Sequence, residues 1–188
     1  MKLSIPGEAR VVLFSGALNK RKGIMELVSA VQMNSYRVPV FLLVCGPDYG
    51  YKDQLLRDIR ALNGGNLQVR YEGLVSNINE YLTAADIFVL PSYAEGLSNA
   101  LLEAAMSGLG LIATDIGGNR DIIEPGENGC LFAPGDTIQL AALIDQLVHD
   151  QVKTERFGKE ARQKANREYS LSQVAGRYVR LYREMMKR

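Results

Sequence analysis

The chain has 188 residues, 47% of them apolar and 23% charged, with a net charge of +1. This is the composition of an ordinary soluble globular protein, with enough apolar material for one sizeable core, and one large domain fits it better than two very small ones. Near-zero net charge gives no argument for nucleic acid or an acidic partner. The longest apolar runs, Val40–Cys45 and Ile87–Leu90, are too short to span a bilayer, and residues 1–10 lack the apolar core of a signal peptide.

In chain order, residues 11–15 read as a strand that ends at Gly16. Residues 23–32 carry Ile24, Leu27, Val28 and Val31 at helical spacing. Residues 38–45 are a continuous apolar run, as in a strand buried on both faces, and end at Gly46-Pro47. Helical spacing returns over 52–62, and Asn63-Gly64-Gly65 stops it. A third strand is predicted over 67–71, a short helix over 78–84, a fourth strand over 86–90 and a helix over 99–106. A fifth strand over 109–114, one helical turn over 120–123 and a short sixth strand over 129–132 follow. From Thr137 onward the pattern is helical only, over 137–149, 152–168 and 171–186, with caps at Asp136 or Thr137 and at Ser170 or Ser172.

Six strands separated by helices predict an α/β fold: a doubly wound, parallel six-stranded sheet of order 3-2-1-4-5-6, helices on both faces and a helical C-terminal segment. Cys45 and Cys130 lie in apolar strand-like runs. They are expected to be free buried thiols in a reducing cytosol. In an open parallel sheet, ligands bind beyond the carboxyl ends of the strands. The segments to inspect are therefore 16–23, 46–51, 73–77, 91–99 and 116–120, which bring glycines, small polar residues, Lys20, Arg21, Lys22 and Glu95 to one edge.

The stretch 91–108, PSYAEGLSNALLEAAMSG, carries most of the chemistry. Glu95 follows a strand and precedes a helix, so its carboxylate would project from the ligand edge and accept sugar hydroxyls. Taken alone, it fits a solvated loop charge or a helix-dipole partner as well. Glu103 lies about one turn inside an apolar helix, where a charge needs a partner, a ligand or an exposed stripe. The backbone N–H groups of Gly96, Leu97, Ser98 and Asn99 open that helix and would suit a diphosphate, while Ser98 or Asn99 can also act as a simple cap. Lys20-Arg21-Lys22-Gly23 would neutralise such a leaving group, or form a solvated basic turn. No Gly-x-Gly-x-x-Gly follows the first strand, and there is no Walker-type loop and no Asp-x-Asp. The single histidine, His149, falls late in a helix and is expected at the surface, so neither a Ser-His-Asp triad nor a zinc site has support.

Together these residues resemble the C-terminal, donor-binding domain of the retaining GT-B glycosyltransferases, specifically glycosyltransferase family 4. The resemblance runs from about Val11 to Tyr182 and is strongest over ADIFVLPS through Glu103-Ala104, which is similar to the family's E-x7-E signature and its preceding strand. Gly16 to Gly23, Asp115-Ile116-Gly117-Gly118 and Gly129 to Pro134 resemble its other loops. The resemblance implies a Rossmann-like domain that binds a nucleoside-diphosphate sugar, with UDP favoured over GDP or ADP. It implies that Glu103 holds the ribose hydroxyls and Glu95 the donor sugar. Lys22 with Arg21 would bind the diphosphate beside Gly16, and the amides of Leu97, Ser98 and Asn99, after Gly96, would cradle the phosphate. Gly46, Leu74 and Val75 would line the base pocket. It further implies retaining transfer without an essential metal or other cofactor, with Glu95 and Lys22 at the reacting end. The acceptor would be a glycan, a lipid-linked sugar or a small glycoside, met in the cytoplasm or at the inner membrane face, with at most peripheral membrane association and no nucleic-acid partner.

Three positions depart from the family pattern. Ala17 stands where an arginine usually follows the first-strand glycine, Gly110 where a proline is usual, and Asp121 where a glutamate is common after the Gly-Gly pair. The family's enzymes also have a second, N-terminal domain for the acceptor. The expectation is therefore a single nucleotide-sugar-binding domain over 1–188, inactive in transfer without an acceptor domain or partner subunit. A non-catalytic nucleotide-sugar-binding module and an unrelated doubly wound domain are the alternatives.

Overall fold

A computed structural model describes residues 4–186. Six strands form one parallel sheet: β1 (Arg10–Ser15), β2 (Val40–Cys45), β3 (Leu67–Gly73), β4 (Ile87–Leu90), β5 (Gly110–Thr114) and β6 (Cys130–Phe132). Their order is β3-β2-β1-β4-β5-β6, as the alternation of elements predicts. The helices are α1 (Ile24–Gln32), α2 (Lys52–Leu62), α3 (Ile78–Ala84), α4 (Asn99–Ser107), α5 (Gly117–Ile122), α6 (Thr137–His149), α7 (Gln151–Tyr169) and α8 (Leu171–Met185).

Alternation along the strands divides the core in two, because successive side chains point to opposite faces. Val12, Phe14, Val40, Leu42, Val44, Ile87 and Val89 pack with α1, α2 and α6 on one face. Val11, Leu13, Phe41, Leu43, Phe88 and Leu90 pack with α3, α4 and α5 on the other. α7 serves both layers: its Phe157 joins the first cluster, and Ala161 and Ala165 the second. It lies close to the sheet because a Cβ on Gly158 would overlap the Gly108 carbonyl, and one on Gly110 would press on Thr154. A glycine at position 110 thus fits the approach of α7.

Several boundaries shift from the sequence expectation. β2 begins at Val40, after Pro39, and β3 runs on to Gly73. Asp86 is not a strand residue; its carboxylate accepts the Val11 amide at 2.8 Å. The single turn expected over 120–123 is a helix that starts at Gly117. Asp136 caps α6 by accepting the Gln139 amide, while Ser170 precedes α8 without a side-chain cap bond. Both cysteines are buried and free, and burial pushes the Cys45 thiol up to about 12. His149 is exposed, as expected, while its Nε2 accepts the Arg37 amide at 3.3 Å and its ring stacks near Tyr36. No residue of α8 is buried. Among the described residues, no helix is long and apolar enough to cross a membrane.

Candidate functional site

β1 pairs with β2 on one side and with β4 on the other. The chain leaves β1 toward α1 on one face of the sheet, and leaves β4 toward α4 on the opposite face. The strand order reverses between these two strands, and in open parallel sheets ligands bind at the carboxyl edge of such a point. Lys22 and Glu95 come from the loops after β1 and β4.

The loop after β1 is held by its own chemistry. Asn19 caps a 3-10 turn over Lys20–Lys22, its side chain accepting the Lys22 amide at 3.0 Å. Gly23 closes the turn with φ +67, a left-handed conformation that strains any L side chain. A Cβ there would also overlap the Pro91 carbonyl, so the turn rests directly on the loop after β4. That contact is reinforced by the Tyr93 amide donating to the Arg21 carbonyl at 2.8 Å and the Arg21 guanidinium donating to the Ala94 carbonyl at 3.2 Å. Between them, Lys22 Nζ lies 2.6 Å from Glu95 Oε1, with side-chain exposures of 15% and 8%. The basic run is therefore not a solvated turn as a whole: Lys20 and Arg21 are exposed, but Lys22 is largely covered. Nor is Glu95 a solvated loop charge.

At the start of α4, Ser98 is the cap, buried, with its hydroxyl accepting the Leu101 amide at 3.4 Å. The amides of Leu97, Ser98 and Asn99 make no hydrogen bond to another described residue. Gly96 and Leu97 are exposed, so this end of the helix offers free N–H groups and the positive end of its dipole to an anion. α5 supports the same loop, since a Cβ on Gly118 would overlap the Gly96 carbonyl. Beneath it, Asn119 donates to the Thr114 carbonyl and hydroxyl, and the Thr114 hydroxyl donates to the Ser92 carbonyl at 2.6 Å. Ser92 Oγ and Asn119 Oδ1 are buried there without a hydrogen-bond partner among the described residues.

Glu103 is exposed, on the stripe of α4 that also carries Asn99 and Ser107, and has no ion pair among the described residues. Of the alternatives open from sequence, a protein partner is not observed among the described residues, and an exposed carboxylate fits both a stripe and a ligand. Gly46 is buried against the first loop: its φ is +147 and a Cβ would overlap the Gly16 carbonyl. The Tyr71 hydroxyl donates to the Gly46 carbonyl at 2.9 Å. Leu74 is 78% exposed and Val75 is half-buried, so these two do not form a closed pocket. Among the described residues no cluster of His, Cys, Asp and Glu is arranged to hold a metal ion. A cavity of about 790 Å³ lies at the opposite edge, near Val11, Asp86 and Ala84, away from these groups.

Sequence reasoning missed Asn19, Glu26, Tyr93 and Asn119. The Tyr93 hydroxyl donates to Glu26 Oε1 at 2.6 Å, and this bond raises the phenol's pKa above its usual value. Asn-x-x-Lys in a loop is a recognisable capping pattern, but no local signal ties Glu26 to Tyr93.

The family model of the glycosyl transferases group 1 matches residues 1–164. Among curated relatives, the lipopolysaccharide core biosynthesis glycosyltransferase LpsE of Rhizobium meliloti is 29% identical over 181 residues, covering 96% of this chain and 52% of its own length. The chain thus spans about half the length of the curated relatives it matches. Among solved structures, sucrose-phosphate synthase from Thermosynechococcus elongatus superposes with a TM-score of 0.86 at 26% identity, over 98% of this chain and 47% of that one. Anabaena HepE in complex with UDP-glucose gives a TM-score of 0.81 at 25% identity, over 93% of this chain and 48% of that one.

Proposed function

This chain belongs to the glycosyl transferases group 1, and on that premise we propose that its carboxyl edge binds a nucleoside-diphosphate sugar whose glycosyl group is transferred to an acceptor. The observation that carries the reading is the Lys22–Glu95 pair at the switch point, beside the free amides that open α4. An ammonium has three donors and a carboxylate about four acceptor sites. Lys22 can therefore keep Glu95 and still donate to a phosphate oxygen, while Glu95 accepts a sugar hydroxyl.

In the proposed reaction, the bond from the anomeric carbon to the phosphate oxygen breaks and one to the acceptor oxygen forms. The acceptor's proton passes to the leaving diphosphate. Charge grows on that diphosphate, and Lys22, Arg21 and the amides of Leu97, Ser98 and Asn99 stabilise it. Glu95 orients the sugar, and Glu103 takes the ribose hydroxyls. Gly46, Leu74 and Val75 lie toward the base, with Gly16 at the floor between. Transfer with retention and without a metal follows the family resemblance, as do placement in family 4, UDP as the nucleotide and a cytoplasmic setting. The acceptor glycan, lipid-linked sugar or small glycoside is assigned to a surface supplied outside this domain. Ala17 removes one cation from the usual clamp, leaving Lys20, Arg21 and Lys22 as the cations of this loop, of which Arg21 and Lys22 are assigned to the diphosphate.

Calorimetric titration with UDP, GDP, ADP and UDP-glucose tests the reading. Binding in about the micromolar to millimolar range is expected, weakened about tenfold by Lys22→Ala. Folded protein that binds none of them would overturn it.

A further inference from the structure

Tyr93 lies two residues before Glu95 and is held at both ends. Its amide donates to the Arg21 carbonyl at 2.8 Å, and its hydroxyl donates to Glu26 Oε1 at 2.6 Å. Glu26 belongs to the first turn of α1, directly after the Lys22-Gly23 turn. Gly135, in the loop after β6, lies against the same phenol, where a Cβ would come within 3.3 Å of the hydroxyl. Tyr93 thus ties the loop after β4 to the segment 21–26, the two pieces of chain that carry Glu95 and Lys22. We propose that Tyr93, acting through its hydrogen bond to Glu26, is a positioning residue that fixes the Lys22–Glu95 pair and thereby the sugar-facing carboxylate. The role in sugar binding rests on the proposed function; the role in fixing the pair does not.

The geometry gives a physical reason. Lys22 has a long flexible side chain, and holding two such groups in one arrangement costs conformational entropy. A pair at 2.6 Å between loops from two strands persists when the backbones beneath it are already locked. The Pro91–Gly23 contact locks one end of the loop, and the Gly96–Gly118 contact supports the far side of Glu95. Between those points two side chains join the segments, Arg21 at the Ala94 carbonyl and Tyr93 at Glu26, and the Tyr93 bond is the shorter.

Two measurements on the 188-residue chain test this. The first is a double-mutant cycle of Lys22→Met and Glu95→Gln by denaturant unfolding. In the wild type, the unfolding constant of the double variant should depart from the product of the single effects by about fivefold or more. In a Tyr93→Phe or Glu26→Ala background that departure should shrink below about twofold, and Glu26→Gln, which keeps an acceptor oxygen, should restore it. Undiminished coupling in Tyr93→Phe overturns the proposal, as does absence of coupling in the wild type. The second measurement compares UDP with UDP-glucose by calorimetry. Tyr93→Phe should weaken UDP-glucose more than UDP, because it releases the sugar-facing Glu95 as well as Lys22. Equal weakening of both ligands marks a general structural defect and overturns the sugar-specific role. If the wild type binds neither ligand, the proposed function fails, and the unfolding cycle still decides whether Tyr93 fixes the pair.

Discussion

Glu95 and Glu103 are eight residues apart, yet one is covered in an ion pair beneath two interlocked loops and the other stands on the exposed stripe of α4. Around Glu95, three approaches are backbone on backbone: Gly23 against Pro91, Gly118 against Gly96, and the Tyr93 amide on the Arg21 carbonyl. Around Glu103, Leu74 and Val75, the side chains are exposed or half-buried and no comparable interlock forms. In the proposed function, the end that would meet developing charge is held by protein contacts alone, which is the arrangement that electrostatic stabilisation requires. The end that the proposal assigns to the nucleoside has fewer such contacts. A site can afford this division, because the ribose and base contribute binding, whereas the reacting end depends on orientation.

The comparison can be broken at its strongest point first. Gly23→Ala puts a side chain in a left-handed conformation and onto the Pro91 carbonyl, and should cost about 2–4 kcal/mol in denaturant unfolding. A cost near zero would mean that the loops are not interlocked. Next, Lys22→Ala leaves Glu95 covered without its cation and should cost about 1–3 kcal/mol, part of which returns when Glu95→Gln is added. A pair that behaves like an exposed one, with no loss, would erase the contrast between the two glutamates. Smallest in stability is Glu103→Ala, expected within about 0.5 kcal/mol of the wild type, with UDP affinity nonetheless lowered about tenfold. A large stability loss there would show that α4 uses Glu103 structurally, and an unchanged affinity would remove it from the ribose site.

Much of the fold was legible because it is written locally. Continuous apolar runs such as Val40–Cys45 and helical spacing such as Leu55, Leu56 and Ile59 need only a short window to read. The alternation of elements pointed to a parallel doubly wound sheet, for which 3-2-1-4-5-6 is the first order to expect, and that order is the one observed. Boundaries were less legible where a polar side chain replaces a strand bond, as at Asp86, or where Gly117 and Gly118 begin a helix despite their low propensity. The apolar spacing of α8 was equally plain, but its burial was not: Leu171, Tyr178, Leu181 and Met185 are exposed. Within the site, Lys22, Glu95 and the start of α4 were identifiable from residue type and position after a strand. That Lys22 reaches Glu95, and that Glu26 holds Tyr93, was not.

The sequence alone determined which segments are strands, which loops fall on the carboxyl edge, and which residues there can carry charge. It did so because the two- and 3.6-residue periods and the glycines that end each strand are local properties. The tertiary structure decided which of those charges meet. The Lys22–Glu95 pair spans 73 residues and the Tyr93–Glu26 bond spans 67. Both exist because β1 and β4 are neighbours in the sheet while their helices leave on opposite faces. That placement, with glycine at 23 and 118 to let the backbones touch, sets one glutamate under the loops and leaves the other on the open face of α4.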